Sequence, residues 1–495
     1  MPRWLVLILV AGVMHAAMIR GVVVDNQTGR PLARTLVTMR PVAGTAGTQL
    51  STRTNVYGAF EFSHVAPGAW LVAASRRAFA PIQYGQKRWQ SAGVPVVLAD
   101  ESTIQMTLRM PRFGAIAGTV VDENEVGLPG HQVVAYKNTR PPQMVTRATT
   151  DDRGMYRLWG LEPGSYIVRT TEQKDGDDMY LPTFAREGLR VHEARSIDVE
   201  IDRDTTDVSV RPMLGRLCVV GGRVQVYPPV AVRVTLVSDL GSQTVTSDIN
   251  GGFQFQPVAP GVYEVYAHAG NQAAFTGLTV DREFVEARLQ LGPMASVQVT
   301  VEDTQGRPVD FGLFQVKARR KDLSGEGPAA KLPIKDGVAV LTPGRWEFSL
   351  TPTAGYYVAQ FAGPGGEGAA RERPDGWNEI VASGGGQAVK FVLSPNPGMV
   401  RGTVTNGRDP AVGAPVYLEA FDEKMRRRLV DLRTAQTDLE GKFEFFGLPP
   451  GTYRILSTFE YQSPSAAEMD AAKAVLVKVE ESRDVTQDLA LFVLP

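Results

Sequence analysis

Four stretches of the chain obey one pattern: TNVYGAFEFSHVAPGAWLV from Thr54, TDDRGMYRLWGLEPGSYIV from Thr150, SDINGGFQFQPVAPGVYEV from Ser247 and TDLEGKFEFFGLPPGTYRI from Thr437. Each runs Thr or Ser, Asn or Asp, two free positions, Gly, any residue, then an aromatic. A Pro-Gly follows, and another aromatic stands two residues beyond it. The glycines are Gly58, Gly154, Gly251 and Gly441, and the prolines nine residues later are Pro67, Pro163, Pro260 and Pro450. A fifth copy, DGVAVLTPGRWEFSL from Asp336, keeps Gly337, Pro343, Gly344 and Trp346 with a shorter interval. A fixed spacing recurring at this period is the mark of a chain built from repeated units.

A first strand opens each unit, as in MIRGVVVD from Met18, GAIAGTVVD from Gly114 and GMVRGTVTN from Gly398, with Val and Ile at alternate positions. Period-two alternation predicts half-buried strands. Alternating runs such as TIQMTLRM close the units. With 50 Gly and 33 Pro punctuating the chain, about seven short strands per unit predict an all-β protein of antiparallel β-sandwiches. The expected boundaries are 18–110, 111–212, 213–292, 293–396 (degenerate) and 397–495, after a signal peptide at 1–17. Within the pattern, the Asn or Asp side chain and the Gly suit a tight turn. Pro-Gly then reads as the turn of a hairpin whose aromatics face the core. Ser463 followed by Pro464 predicts a short helix, with Ser463 as N-cap and Pro464 at its first position.

These motifs resemble the carboxypeptidase regulatory-like domain, a transthyretin-like β-sandwich related to collagen-adhesin B-type repeats. The resemblance rests on the G-x-V-x-D first strand, the G-x-P-L turn and T-D-x-x-G-x-F-x-F-x-x-L-x-P-G-x-Y. It implies an accessory or interaction role, and fold-level analogy with carbohydrate-binding-like sandwiches adds glycan binding as an inherited expectation. The self-made Lys to Asn or Asp crosslink of adhesin repeats is not expected, because none of the five first strands contains lysine.

Little else carries chemistry. With 52 basic against 53 acidic residues, the chain lacks the basic footprint of a nucleic-acid binder. Cys218 is the single cysteine, so no intrachain disulfide forms. His64, His131, His192 and His268 show no metal-ligand spacing, and no G-x-S-x-G, H-E-x-x-H or phosphate-cradling loop occurs. No cofactor or metal is expected. The acidic runs KDGDD at 174–178 and IDRDTTD at 201–207 lack the offsets of a calcium loop and read as solvated charge. EKMRRR at 423–428 reads as a hairpin tip.

Candidate ligand-binding residues are the aromatics outside the pattern: Tyr84, Trp89, Tyr180, Phe184 and Trp377. Exposed rings could stack on sugar faces, but anchoring the inserts onto the sandwiches is the favoured role for each. Trp70 and Trp346 occupy pattern positions and belong to the core. The N-terminus MPRWLVLILVAGVMHAAMIRG has Arg3, an apolar run too short to span a bilayer and small residues after it, so export to the periplasm, cell surface or exterior is expected. The expected function is a non-catalytic binding or scaffolding protein of the cell envelope, whose partner is an envelope protein or a polysaccharide. Carbohydrate recognition and a hydrolase with a site between domains are the alternatives.

Overall fold

The computed structural model describes residues 17–89, 91–353, 355–364, 376–383, 386–421 and 432–494. Residues 1–16 and 422–431 lie outside that range, so the proposed signal peptide (Ala17 excepted) and the basic run at 423–428 fall outside the described residues.

The protein is all-β, and among the described residues the main sheets fall in chain order into five facing pairs. Each pair encloses a hydrophobic cluster of its own. In the first, Ala17–Asp25 runs between Ala59–Val65 and Thr103–Met110, while Leu36–Pro41 runs between Leu50–Arg53 and Gly68–Ser75. Ile19, Val23, Val37, Trp70 and Leu108 fill the space between the sheets. The same plan recurs around Gly114–Thr119, Val219–Gln225, Ala295–Asp303 and Gly398–Asn406.

Two features differ from the sequence expectation. One sheet of each pair is mixed, because the closing strand returns parallel to the first one: Met18 pairs Thr103 and Asp25 pairs Met110, and Val219 to Gln225 pairs Phe284 to Gln290 in the same sense, while the facing sheet is antiparallel. The Pro-Gly segment is also not a hairpin. Ala59–Val65 pairs with the first strand, whereas Gly68–Ser75 pairs with the second strand in the opposite sheet. Met155–Leu161 and Gly164–Thr170 are divided likewise. The turn is therefore an arch between sheets. Aromatics on both sides still face one core, from its two walls: Tyr156 and Tyr166 are both buried in the same cluster.

The repeated residues are the fasteners of this arch. Asp151 Oδ1 accepts from the amides of Arg153 and Met155 at 3.0 and 2.8 Å. Asn55, Asp248 and Asp438 do the same in their copies. Thr150, buried, donates its hydroxyl to Leu128 O at 2.7 Å and accepts from His131 N at 2.9 Å, so it ties the turn to the neighbouring loop. Thr54 and Thr437 make the equivalent pair.

Across the Pro-Gly, the aromatic reaches back four residues to a backbone carbonyl. Trp70 donates to Ala66 O, Tyr166 to Glu162 O, Tyr263 to Ala259 O, Trp346 to Thr342 O and Tyr453 to Pro449 O, at 2.7–2.9 Å. The degenerate fourth copy keeps this bond although it lost the interval, because the bond needs only the Pro-Gly and the aromatic. A polar tip on a buried ring must find a partner, and here it closes the arch.

The short helix is Ala466–Ala471, with Ser465 as N-cap rather than Ser463. Ser465 Oγ accepts from Glu468 N at 3.3 Å, and Glu468 Oε2 accepts from Ser465 N at 2.7 Å. That reciprocal box needs a Glu three residues after the cap, which Ser463 lacks.

His131 is buried, its ring edge-on to Tyr180 with centroids 5.3 Å apart, and neither ring nitrogen has a well-formed hydrogen bond. Burial lowers its pKa, against smaller opposing effects of the Pro129 carbonyl and Asp175. The folded chain therefore keeps His131 neutral while an unfolded histidine takes up a proton below about pH 6.5. Stability contributed by this site is present above that pH and declines as pH falls below it. We expect the denaturant midpoint of this sandwich to drop between pH 7.5 and 5, and a His131→Phe variant to lose part of that dependence; equal slopes in the two proteins would contradict the assignment.

Candidate functional site

The candidate aromatics do not form one surface. Phe184 is fully buried beneath the Arg169 guanidinium, 5.3 Å from its ring centre, and Tyr180 is 7% exposed. Neither presents a ring face to a ligand, because the insert folds back over the second sandwich. Tyr84 packs against the first core. Trp89 is half-buried, edge-on to Phe113 at 6.1 Å, and so fastens its insert to the start of the second sandwich. Trp377 is half-buried under Arg319, 4.3 Å from its ring centre. Trp159, at a free position of the pattern, is 52% exposed beside Phe113 in a shallow surface groove.

The second acidic run is engaged by partners distant in sequence. Asp202 accepts from Asn26 Nδ2 at 2.9 Å and from Arg112 N at 2.6 Å, and Asp204 takes a bidentate pair from Arg157 at 2.8 and 2.9 Å. Residues 173–180 form a small hairpin. Among the described residues no group of three or more His, Cys, Asp or Glu could hold a metal ion.

What the fold concentrates instead are junctions. Between the first two sandwiches, Arg112 Nη2 meets the buried Asp25 carboxylate at 2.7 Å. Burial alone would raise the Asp25 pKa, but hydrogen bonds from Thr28 N, Arg112 and Gln27 N outweigh it and leave the carboxyl below its usual range. Between the second and third, Val191 N donates to Asp239 at 2.8 Å. Between the third and fourth, Glu264 accepts from Leu323 N at 3.1 Å, and the Arg320 guanidinium covers Tyr266 at 3.4 Å. Tyr357 donates to Glu481 between the fourth and fifth.

The first and last sandwiches also touch. Lys87 Nζ pairs with the buried Glu460 at 2.9 Å, Ala92 N donates to Phe459 O at 2.7 Å, and Gln462 Nε2 reaches Ser91 O at 3.4 Å. Beside them Val42, Ala69 and Leu71 form an apolar cluster with Val412 and Leu439. Some 370 residues of chain separate the partners of the ion pair.

Where the second, third and fourth sandwiches meet lies a cavity of about 880 Å³. Arg140, Arg169 and Arg190 enter it from the second, Asp239 and Tyr263 from the third, and Arg345 from the fourth. Burial raises the Tyr263 pKa to about 12, with the Arg169 and Arg190 charges pulling slightly the other way. None of these junctions is legible in the sequence: Asp25 and Tyr263 are pattern residues with local roles, the others sit at free positions of the repeat, and all come together only through docking.

Residues 18–109 match the family model of the carboxypeptidase regulatory-like domain. No curated protein matches the chain in sequence. Similar solved structures include the minor pilin GBS52 of Streptococcus agalactiae, 14% identical over 41% of this chain and 97% of that one, TM-score 0.26. Others are the shaft pilin SpaA of Lactobacillus rhamnosus GG, at 13%, 40%, 98% and 0.24 in the same order, and the major pilin subunit BcpA of Bacillus cereus, at 12%, 77%, 99% and 0.17. All three TM-scores are below 0.5. The match to the carboxypeptidase regulatory-like domain thus falls on the first sandwich, residues 18–109.

Proposed function

We propose that the chain is an exported, non-catalytic scaffold of the cell envelope, built of five sandwich domains that hold one arrangement and present fixed surfaces to a partner. The observation that carries this reading is the contact of the first sandwich with the last. Domains on flexible linkers meet a partner one at a time, whereas domains locked together offer several surfaces at once, with the ordering entropy already spent. The family match of residues 18–109 and the signal-peptide anatomy of residues 1–17 support the reading. Two acidic groups between domains, Asp25 with Arg112 and Glu460 with Lys87, are engaged in docking rather than facing a cleft.

The test is a variant that breaks the closure. Val412→Asp with Leu439→Asp puts two carboxylates into the apolar cluster, and a buried unpaired charge is costly enough to separate a small interface. By small-angle scattering the variant should show a larger radius of gyration and maximum dimension than the wild type, with an unchanged circular dichroism spectrum. Affinity capture from envelope extracts should recover a partner with the wild type and lose it with the opened form. Identical scattering by the two proteins, or hydrolysis of ester, peptide or glycoside substrates by the purified chain, would overturn the reading.

A further inference from the structure

We propose that the cavity between the second, third and fourth sandwiches binds a small polyanion, a molecule carrying two or more carboxylate, phosphate or sulfate groups. This goes beyond the scaffold reading and does not depend on it. Five formal cations line the cavity, Arg140, Arg169, Arg190, Lys321 and Arg345, against three carboxylates. Two of the carboxylates are already engaged: Asp239 accepts from Val191 N at 2.8 Å, and Asp322 from Ser324 N and Oγ at 3.0 and 2.6 Å. Lys321 is likewise taken, by Glu379 at 2.6 Å.

The four arginines are not. Among the described residues, no side-chain hydrogen bond or ion pair neutralises Arg140, Arg169, Arg190 or Arg345. Arg169 is held by its stacking over Phe184, yet its Nε is buried with no acceptor. Guanidinium groups left uncompensated on an open surface are ordinary, because water solvates them. Around one concavity they repel one another, and a buried N–H without an acceptor costs free energy until a ligand supplies one. Guanidinium forks match the oxygens of carboxylate and phosphate in a bidentate way.

The location and size fit. Ligand sites favour domain interfaces, and about 880 Å³ lies within the usual range for small-molecule pockets. The cavity wall is mostly polar, with Asn138, Thr139 and Ser238 among the arginines, which suits a hydrated, charged ligand better than an apolar one. Because three sandwiches contribute, a bound anion would tie them together, and its binding energy would add to the stability of their docking.

The experiment is calorimetric titration of the full chain at low salt with two probes, inorganic pyrophosphate and the uronate disaccharide digalacturonate, alongside thermal unfolding in each. One or both should bind with micromolar to low-millimolar affinity and raise the unfolding temperature, while sodium chloride at equal ionic strength does neither. Preference for pyrophosphate assigns a phosphate ligand, and preference for the uronate assigns an acidic glycan. Arg190→Gln with Arg345→Gln should weaken binding at least tenfold without lowering the unliganded unfolding temperature, which relief of the mutual repulsion can only raise. Failure of both probes to bind more tightly than chloride would overturn the proposal, as would unchanged affinity in a double variant that folds normally.

Discussion

Replacing Gly154 with alanine is expected to lower the unfolding temperature of the second sandwich by more than 10 °C. Gly154 sits at φ +74°, in the left-handed region, and a Cβ there would lie 2.4 Å from Val120 O and 2.8 Å from Gly127 Cα. The left-handed backbone alone costs an L residue about 1–2 kcal/mol. The clash is with backbone, which cannot rotate away, and overpacking of this kind adds about 1–3 kcal/mol. It also strikes a working contact, since Val120 N donates to Gly154 O at 2.8 Å and ties the arch to the first strand. A total of about 3 kcal/mol is a large part of the stability of a domain this size, and each kcal/mol moves its midpoint by about 4–8 °C. Asp151→Ala, which removes two amide partners but introduces no clash, should cost less, about 1–2 kcal/mol. Scanning calorimetry of both variants settles the order. If Gly154→Ala melts with the wild type, the arch is not the fastener described here.

The second large effect is expected at Arg454. Its side chain is 1% exposed and meets the buried Glu419, and its guanidinium also reaches Asp470 on the short helix. Glu419 faces it across the sheet, where Pro415–Ala420 pairs with Gly451–Ser457 and Glu419 stands opposite Arg454. Arg454→Met leaves the Glu419 carboxylate buried without its cation, which should cost about 3–5 kcal/mol. The pair as a whole contributes far less, because both charges gave up their hydration to enter the core. Arg454→Met combined with Glu419→Leu should therefore recover most of the loss, to within about 1 kcal/mol of the wild type. Denaturant midpoints of the fifth sandwich in the single and double variants give the comparison. A double variant as unstable as the single one would show that the pair stabilises in its own right.

Much of the arch is legible in the sequence. Thr150, Asp151, Gly154, Tyr156 and Tyr166 occupy fixed offsets because each one answers a local demand: an amide to cap, a positive φ, a ring to bury. Such demands repeat with the fold, so spacing alone exposes them. The arch itself was misread as a hairpin for the same reason. A Pro-Gly between two alternating runs looks identical in sequence whether the second run turns back into the same sheet or crosses to the facing one. Which sheet receives Gly164–Thr170 is decided by its pairing with Gln132–Lys137, some thirty residues earlier.

The free positions behaved differently. Phe184 and Tyr180 looked available because the pattern does not account for them, yet the insert that carries them folds inward. Lys87 and Glu460, or Arg169 and Arg345, bear no mark in the sequence, since nothing local requires them. By itself the sequence determined the all-β class and the chemistry of the repeated turn, because both follow from periodicity and backbone geometry within one unit. Only the tertiary structure decided which sheet each strand joined, which aromatics were buried and which charges met across junctions. Those outcomes depend on how whole surfaces dock, and the energy of docking is spread over residues too far apart in sequence to leave a pattern.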